Sequence, residues 1–340
     1  MNPQLVRMGL RYRIHKLKDT EQAKKSAARR DTIAAALHQF EELLDASARV
    51  GASSRPITLY YALVQAGLAI SAVHNDNPWS FGKHGLKLNP DFSGADLTAL
   101  TVRPDGQGAF QAGARATGSP AIAGAVSLDA LWASLPDLGE IPLQGSTVPR
   151  ALDAFESRGE LSFQIDFDGS PRLRESEKED GLRLTLVVDG KCPAPGRARE
   201  HLRQLLAGYP LPDGFSVLED TFRVIREGRW SAAVAWRQDL ELNAVAPEYR
   251  FVDRRHIRPS VESDQAQPPS PLMTWWLLLY AFSMLSRYFS RDWSRMLNIQ
   301  RSEIAAKLEH ALDLALEVLP HLIIEALDGK PTLTTKAIEL

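Results

Sequence analysis

Residues 272–297 read LMTWWLLLYAFSMLSRYFSRDWSRML, an apolar run that ends abruptly at Arg287 and Arg291. A helix with Trp, Leu, Tyr and Phe on every side is typical of a protein core. The run also has the composition of a membrane span, but it offers about 15 apolar-rich residues where roughly 20 are needed. It therefore predicts the central helix of a soluble bundle, and we expect no membrane partner.

Helices are also predicted near the N-terminus and at the C-terminus. Residues 20–50 place apolar side chains three and four apart, a pattern that Gly51 ends. Pro56 suits the first turn of a second helix over residues 57–73, and a last helix is expected over 302–327. The second helix carries small side chains that would let a neighbouring helix approach closely: Ala62, Ala66, Gly67 and Ala69.

The middle of the chain is predicted to be rich in strands. Residues 161–167 and 182–188 alternate apolar and polar side chains, and residues 222–236 predict a hairpin that turns near Glu227 and Gly228. The polar, Pro-rich residues 259–271 are typical of a surface linker.

These segments together predict an α+β fold. Helices at both ends of the chain, each with an apolar face, most simply pack into one bundle with a strand-rich insertion between them. We expect an N-terminal helical part over 1–94, a strand-rich middle domain over 95–262, and a C-terminal helical part over 263–340 that completes the bundle.

Composition narrows the classes of function. The 340 residues carry a net charge of −2, which gives no overall attraction to nucleic acid. The single cysteine, Cys192, excludes an intrachain disulfide and fits a reducing cytoplasm, where we expect the protein to be located. The eight histidines form no metal-binding motif, and no nucleotide-binding or hydrolase motif occurs. We therefore expect neither a metal nor a cofactor.

Arg287 is the most informative candidate site residue. A guanidinium close to the core must be satisfied, since an unpaired buried charge is costly. One interpretation is a structural salt bridge to a carboxylate of the middle segment, and the other is an anion or phosphate contact. On a continuous helix, one stripe would hold Trp276, Tyr280, Ser283, Arg287 and Arg291.

A second candidate is the loop Gly82-Lys83-His84-Gly85. Its flanking glycines permit close approach of a ligand or of another helix, although a packed or solvent-facing histidine is an equally ordinary outcome. Our candidates for binding a ligand or anion are Arg287, Tyr288, His84, Lys83, Tyr61 and Arg291.

Residues 1–30 form a basic arm, with nine Lys or Arg against Asp19 and Glu21. It is either a solvated helix face or a surface that binds nucleic acid. Our candidates for nucleic-acid binding in this arm are Arg11, Arg13, Lys16, Lys24 and Lys25.

Three segments resemble the YaaC-like family of bacterial proteins. They are residues 55–70 (RPITLYYALVQAGLAI) with His84-Gly85-Leu86, residues 108–111 with 126–131, and residues 278–288 (LLYAFSMLSRY) with Trp293. The resemblance implies helical parts similar to HEPN-type bundles and a setting in anti-phage defence, but no established activity. The Arg-to-His spacers of seven residues (Arg30 to His38) and eight (Arg301 to His310) are longer than HEPN ribonucleases use.

The leading functional prediction is therefore a non-catalytic binding or assembly subunit of a bacterial complex, with a protein partner or a second copy of itself. The alternative is a HEPN-like nuclease or nucleotide-processing enzyme that uses Arg287, His84 and Tyr288.

Overall fold

The computed structural model describes residues 9, 11–12, 16, 20–24, 26–89, 97–143, 145–156, 161–165, 171–175, 181–238, 240–249, 251–262 and 266–329. The chain divides into two compact units. The first, the helical unit, comprises residues 1–150 and 261–340, and the second, the sheet unit, comprises residues 151–260.

The described helices, in chain order, are α1 (Glu21–Lys24), α2 (Ala27–Arg49), α3 (Arg55–His74), α4 (Ala109–Thr117), α5 (Leu128–Ser134), α6 (Pro136–Gly139), α7 (Pro195–Leu206), α8 (Leu242–Val245), α9 (Pro271–Tyr288), α10 (Ser290–Met296) and α11 (Ala305–Asp328). The described strands are β1 (Leu86–Asn89), β2 (Thr101–Pro104), β3 (Val126–Ser127), β4 (Leu152–Glu156), β5 (Leu161–Ile165), β6 (Pro171–Glu175), β7 (Arg183–Asp189), β8 (Phe215–Arg226), β9 (Arg229–Trp236), β10 (Glu248–Tyr249) and β11 (Arg254–Ile257). An α+β fold with helices from both ends of the chain and an inserted sheet is thereby confirmed.

Helix α9 lies at the centre of the helical unit. Ser270 caps its N-terminus by accepting a hydrogen bond from the Met273 amide, and Pro271 occupies the first turn. Trp275 and Trp276 are both fully buried, as are the leucines around them. A helix that is apolar on every side is stabilised by burial against several neighbours at once.

The close approach predicted for α3 is confirmed at Gly67. A Cβ atom built on this glycine would lie 2.2 Å from Cη2 of Trp276, so any side chain there would collide with the indole. Gly113 of α4 is also close to Trp276, at 3.4 Å from Cζ3. The two glycines leave space for the indole of Trp276 beside α3 and α4.

The boundary of the helical unit differs from our expectation at one end. The strand-rich part was expected to begin at residue 95, whereas residues up to 150 belong to the helical unit. They include the antiparallel sheet β1-β2-β3 and helix α4, which is fixed to the end of α3 by a hydrogen bond from Asn75 Nδ2 to the Ala112 carbonyl (3.0 Å). The other boundary, at 260, lies two residues from the expected one.

The predicted continuation of the central helix beyond residue 288 is wrong. Helix α9 ends at Tyr288, Phe289 adopts φ −128° and ψ 42°, and α10 starts at Ser290. The break follows the packing of Trp293, whose ring stacks on Phe282 (5.8 Å between centroids) and whose Nε1 donates to the Ala52 carbonyl (3.3 Å). Tertiary contacts therefore override a sequence that contains no helix breaker.

The sheet unit contains a six-stranded antiparallel sheet in the order β10-β11-β4-β7-β9-β8. The predicted hairpin is confirmed, with Arg226 opposite Arg229 across Glu227 and Gly228. One face of the sheet forms a core with α7, in which Leu202 and Leu206 join the strand residues Leu186, Trp230 and Val234.

The sheet unit also holds a partly buried ionic network around Asp153 of β4. His256 of β11 lies directly opposite and places Nε2 2.9 Å from Oδ1 of Asp153, while Arg229 of β9 donates to Oδ2 at 3.1 Å. The hydrogen bond from His256 is the main cause that holds the pKa of Asp153 below its ordinary value. The network ties three strands together through one carboxylate.

One helix in the described part, α3, has the length and composition of a membrane span, with a mean hydropathy of 1.5 over the qualifying window. Two thirds of that window (67%) is buried inside the protein, and buried core helices satisfy the same criteria.

Candidate functional site

Three elements of the helical unit bring aromatic and basic side chains together. Helix α3 supplies Tyr60 and Tyr61, the loop before β1 supplies His84, and α9 supplies Tyr280 and Arg287. The rings of Tyr60, His84 and Tyr280 contact one another with centroids 5.4 to 6.0 Å apart. Tyr60 and Tyr61 lie edge to face at 6.0 Å.

The backbone of the His84 loop is held by the N-terminus of α4. The amide of Ala109 donates to the carbonyl of Lys83 (2.8 Å), and the amide of Phe110 donates to the carbonyl of His84 (3.2 Å). Amides in the first turn of a helix have no partner within the helix, so the loop satisfies two of them. The position of His84 is thus fixed by α4, a helix that comes later in the chain.

Two glycines make this contact possible. Gly85 has φ +75°, a conformation that other residues rarely adopt, and a Cβ on Gly108 would lie 2.4 Å from the Gly85 amide nitrogen. Gln111 completes the attachment by donating from Nε2 to the Gly85 carbonyl (2.7 Å). The loop glycines therefore serve close contact with a helix, which was one of the two alternatives for this loop.

Arg287 is satisfied by groups that carry no formal charge. Its Nη1 donates to the hydroxyl of Tyr61 (2.9 Å), and its Nε lies 3.4 Å from the Ser283 carbonyl. Its Cζ also lies 5.6 Å from the ring centroid of Tyr61 and 5.1 Å from that of Tyr288. Within the described ranges no carboxylate pairs with this guanidinium, and the expected salt bridge is not found there.

The surroundings of His84 bear on its charge and on its hydrogen bonds. Burial raises the pKa of Tyr60 well above its ordinary value, so the phenol is protonated at pH 7, and its hydroxyl lies 2.9 Å from Nδ1 of His84. Burial, and then the positive charge of Arg287, lower the pKa of His84, so its imidazole is neutral at pH 7. We assign the tautomer in which Nδ1 accepts from the Tyr60 hydroxyl and Nε2 carries the proton.

The Nε2–H group of His84 is accessible to a ligand. No described residue bonds to this nitrogen, and it is not among the buried polar atoms that lack a partner. Tyr280 is different, because its hydroxyl donates to the Leu86 carbonyl (2.7 Å), and burial raises the pKa of its phenol. Tyr280 therefore anchors β1 to α9 and has a structural role.

The groups available to a ligand are hydrogen-bond donors. Arg287 contributes guanidinium N–H groups and a positive charge, Tyr61 contributes the proton of the hydroxyl that accepts from Arg287, and His84 contributes Nε2–H. Such a set suits a phosphate or carboxylate, because each donor can bond to an anionic oxygen. In the assigned tautomer of His84 the set lacks a free basic nitrogen, since Nδ1 bonds to Tyr60.

The remaining candidates at this site differ in position. Lys83 is exposed beside His84, and Tyr288 is 66% exposed at the end of α9. Arg291 is exposed on α10, beyond the break at Phe289, so it does not continue the stripe predicted for Arg287. Tyr60, which bonds to Nδ1 of His84, was not predicted, because its role depends on a loop that only the tertiary structure places.

The basic arm has less free charge than its composition suggests. Arg11 pairs with Glu41 (3.3 Å), Lys24 pairs with Glu21 (3.1 Å), and Lys16 lies 4.7 Å above the ring of Tyr12. Arg13 and Lys25 lie outside the described residues.

Arg29, counted in the basic arm by sequence, is 5% exposed. It donates to the carbonyls of Ala72 (3.0 Å) and Asn75 (2.7 Å), and also to that of Asp76. These carbonyls lie at the end of α3, where helix carbonyls need donors from outside the helix. Arg29 is therefore a structural cap.

In the part of the chain that the structure describes, no three His, Cys, Asp or Glu side chains come close enough to hold a metal ion.

Comparison with known proteins identifies the family. The fold is that of an α+β protein whose helical unit carries the site described above. The model of the family described as YaaC-like Protein matches residues 2–327, and the chain belongs to that family. No curated protein and no solved structure shows a significant match to the chain. The similarity of the helical parts to HEPN-type bundles is not shown by these comparisons.

Proposed function

We propose that this protein is a non-catalytic binding subunit whose helical unit holds an anionic group at Arg287. The observation that carries the proposal is the pairing of this guanidinium with the Tyr61 hydroxyl, without a carboxylate among the described residues. A half-buried guanidinium without a counter-ion gains most from a bound anion, because a charge-assisted bond is stronger than one to a neutral hydroxyl.

The donor set supports binding in preference to catalysis. A general base needs a free lone pair within reach of the substrate proton. In the assigned tautomer, Nδ1 of His84 accepts from Tyr60 and Nε2 carries the proton, so the imidazole offers a donor. The phenols of Tyr60 and Tyr280 have raised pKa values and keep their protons. A nuclease or nucleotide-processing enzyme would have to break the Tyr60 contact before His84 could act.

We further propose that the protein works in a bacterial complex, with a protein partner or a second copy of itself. β8, one of the two edge strands of the six-stranded sheet, supports this proposal because its Val224 and Ile225 are 67% and 53% exposed. The family resemblance supports a setting in anti-phage defence, and the single cysteine supports a cytoplasmic location. Light scattering on the purified protein would test self-association, and a monomer that co-purifies with no other protein would contradict this proposal.

The anion site is tested by calorimetric titration of inorganic phosphate into the wild-type protein, Arg287→Ala, and Arg287→Lys. Loss of hydrogen bonds to a charged group costs about 1.5–3 kcal/mol, so Arg287→Ala should bind phosphate about ten- to a hundredfold more weakly. Arg287→Lys should lie between the two, because lysine keeps the charge without the planar fork.

Arg291→Ala is the matched control, since it removes an exposed arginine four residues away with the same change in net charge. Equal binding by wild type and Arg287→Ala would contradict the proposal. Turnover of RNA or of a nucleotide by the purified protein, lost in His84→Gln, would favour the enzyme instead.

A further inference from the structure

We infer that the anion held at Arg287 is the phosphate of a nucleoside phosphate, whose base stacks on Tyr288. This inference rests on the proposed function and adds the class of ligand. The observation that carries it is a large exposed aromatic ring next to a guanidinium that has no carboxylate partner in the described part of the chain.

Tyr288 differs from the other tyrosine of α9 and from Tyr60. Tyr60 and Tyr280 are buried and hydrogen-bonded, whereas Tyr288 is 66% exposed. Its ring centroid lies 5.1 Å from Cζ of Arg287, which places a cation against the ring. With two thirds of its surface in solvent, the ring keeps area on which a flat base can stack.

The arrangement of the two residues matches a ligand with a flat ring at one end and a charge at the other. Arg287 lies in the last turn of α9, and Tyr288 follows it as the last residue of the helix. Their side chains therefore start from adjacent Cα atoms. The ring of Tyr61 flanks the guanidinium from α3, at 5.6 Å, and its hydroxyl holds Nη1. The cation therefore lies close to two rings, and of these Tyr288 is largely exposed.

A mononucleotide fits these features better than a nucleic-acid strand does. A strand requires basic groups that follow several successive phosphates. In the described part of the basic arm, Arg11 and Lys24 pair with carboxylates and Arg29 is buried against backbone carbonyls. The hydrogen-bond donors beside Tyr288 belong to a single site, which suffices to bind one phosphate group.

Titration of adenosine 5′-monophosphate, inorganic phosphate and adenosine into the wild-type protein tests the inference. Base stacking on an aromatic side chain tolerates any base, so the adenine nucleotide is a suitable probe. We expect it to bind about tenfold more tightly than phosphate, and adenosine to bind more weakly than either. Tyr288→Ala should lower nucleotide affinity to that of phosphate, and Tyr288→Trp should restore it.

Tyr12→Ala is the control, because it removes another exposed tyrosine (57%) and should leave all three affinities unchanged. Phosphate binding that depends on Arg287, with no gain for the nucleotide and no effect of Tyr288→Ala, would overturn this inference alone. Absence of binding by both anions would overturn the proposed function as well. A single-stranded oligonucleotide that binds more tightly than the mononucleotide, with affinity falling steeply as salt is added, would also overturn it.

Discussion

The hydroxyl of Tyr60 lies 2.9 Å from Nδ1 of His84, and this contact decides what the histidine can offer a ligand. In the tautomer assigned to His84, Nδ1 accepts from this hydroxyl and Nε2–H is presented to a ligand. Histidine near arginine is often taken as a sign of acid–base chemistry. Here Nδ1 of His84 already bonds to Tyr60, so the site offers an anion a set of hydrogen-bond donors.

The lowered pKa of His84 makes the stability of the protein depend on pH. The ordinary value is 6.5, and the folded protein holds the group below it, so the unfolded chain binds more protons between the two values. The free energy of unfolding should therefore fall as the pH drops below 6.5. We expect His84→Gln to show a smaller fall in melting temperature between pH 7.5 and pH 5.5 than wild type.

A remaining pH dependence is expected in that variant from His321, whose pKa burial also lowers. Identical pH profiles for wild type and His84→Gln, measured by thermal unfolding, would show that His84 is not held neutral in the folded state.

The hydroxyl of Tyr61 should contribute to anion affinity through Arg287. Tyr61→Phe keeps the ring beside the guanidinium and removes the 2.9 Å hydrogen bond and one donor. A hydrogen bond contributes about 0.5–1.5 kcal/mol, so phosphate should bind roughly two- to tenfold more weakly. Titration of the variant measures this directly, and an unchanged dissociation constant would remove Tyr61 from the site. The melting temperature should change little, since the ring stays in place.

Gly67 should tolerate no side chain. In Gly67→Ala the new Cβ would lie 2.2 Å from Trp276, which must move within a closely packed core. Overpacking of this kind destabilises by about 1–3 kcal/mol, and chemical denaturation should report a loss in that range. Gly51→Ala is the matched control, because nothing lies within 4 Å of its Cβ position. Equal stability of the two variants would mean that α3 and α9 pack less closely than described.

Among the acidic residues of the sheet unit, Asp153 should be the one whose substitution destabilises the protein most. Its side chain is 10% exposed and holds His256 and Arg229, so Asp153→Asn should destabilise the protein by about 2–3 kcal/mol at pH 7. Its pKa is lowered, so in wild type this contribution is present above pH 3.8 and is lost only as the pH falls through the lowered value. Chemical denaturation at pH 7 measures the difference.

Asp292→Asn is the comparison for Asp153, because its pair with Arg295 is on the surface of α10 and should contribute less than about 1 kcal/mol. If both variants lose the same stability, the Asp153 network is no stronger than a surface ion pair.

Local sequence patterns predicted much of the fold. The amphipathic spacing before Gly51, Pro56 at the start of α3, and the turn at Glu227 and Gly228 each depend on neighbouring residues alone, and each prediction is confirmed. The break at Phe289 and the packing of α4 against α3 and α9 depend on residues distant in the sequence. No residue near 289 signals that Trp293 will pack on Phe282.

The site was predictable only in part for the same reason. Arg287 was selected because a charge follows an apolar helix, and Tyr288 and Tyr61 are beside it in the structure. His84 joins the site because the first turn of α4 holds its loop. Helix α4 was not among the predicted elements, so its contact with the His84 loop was not expected. Tyr60, whose role depends on that loop, was therefore not identified as a site residue.

A crystal structure of the protein grown with phosphate and without other multivalent anions would show directly whether Arg287 holds an anion. We expect a phosphate within hydrogen-bond distance of Arg287, with Nε2 of His84 and the hydroxyl of Tyr61 as further donors. A carboxylate of the same chain bonded to the Arg287 guanidinium, with no phosphate beside it, would contradict an anion site and make this arginine a structural residue.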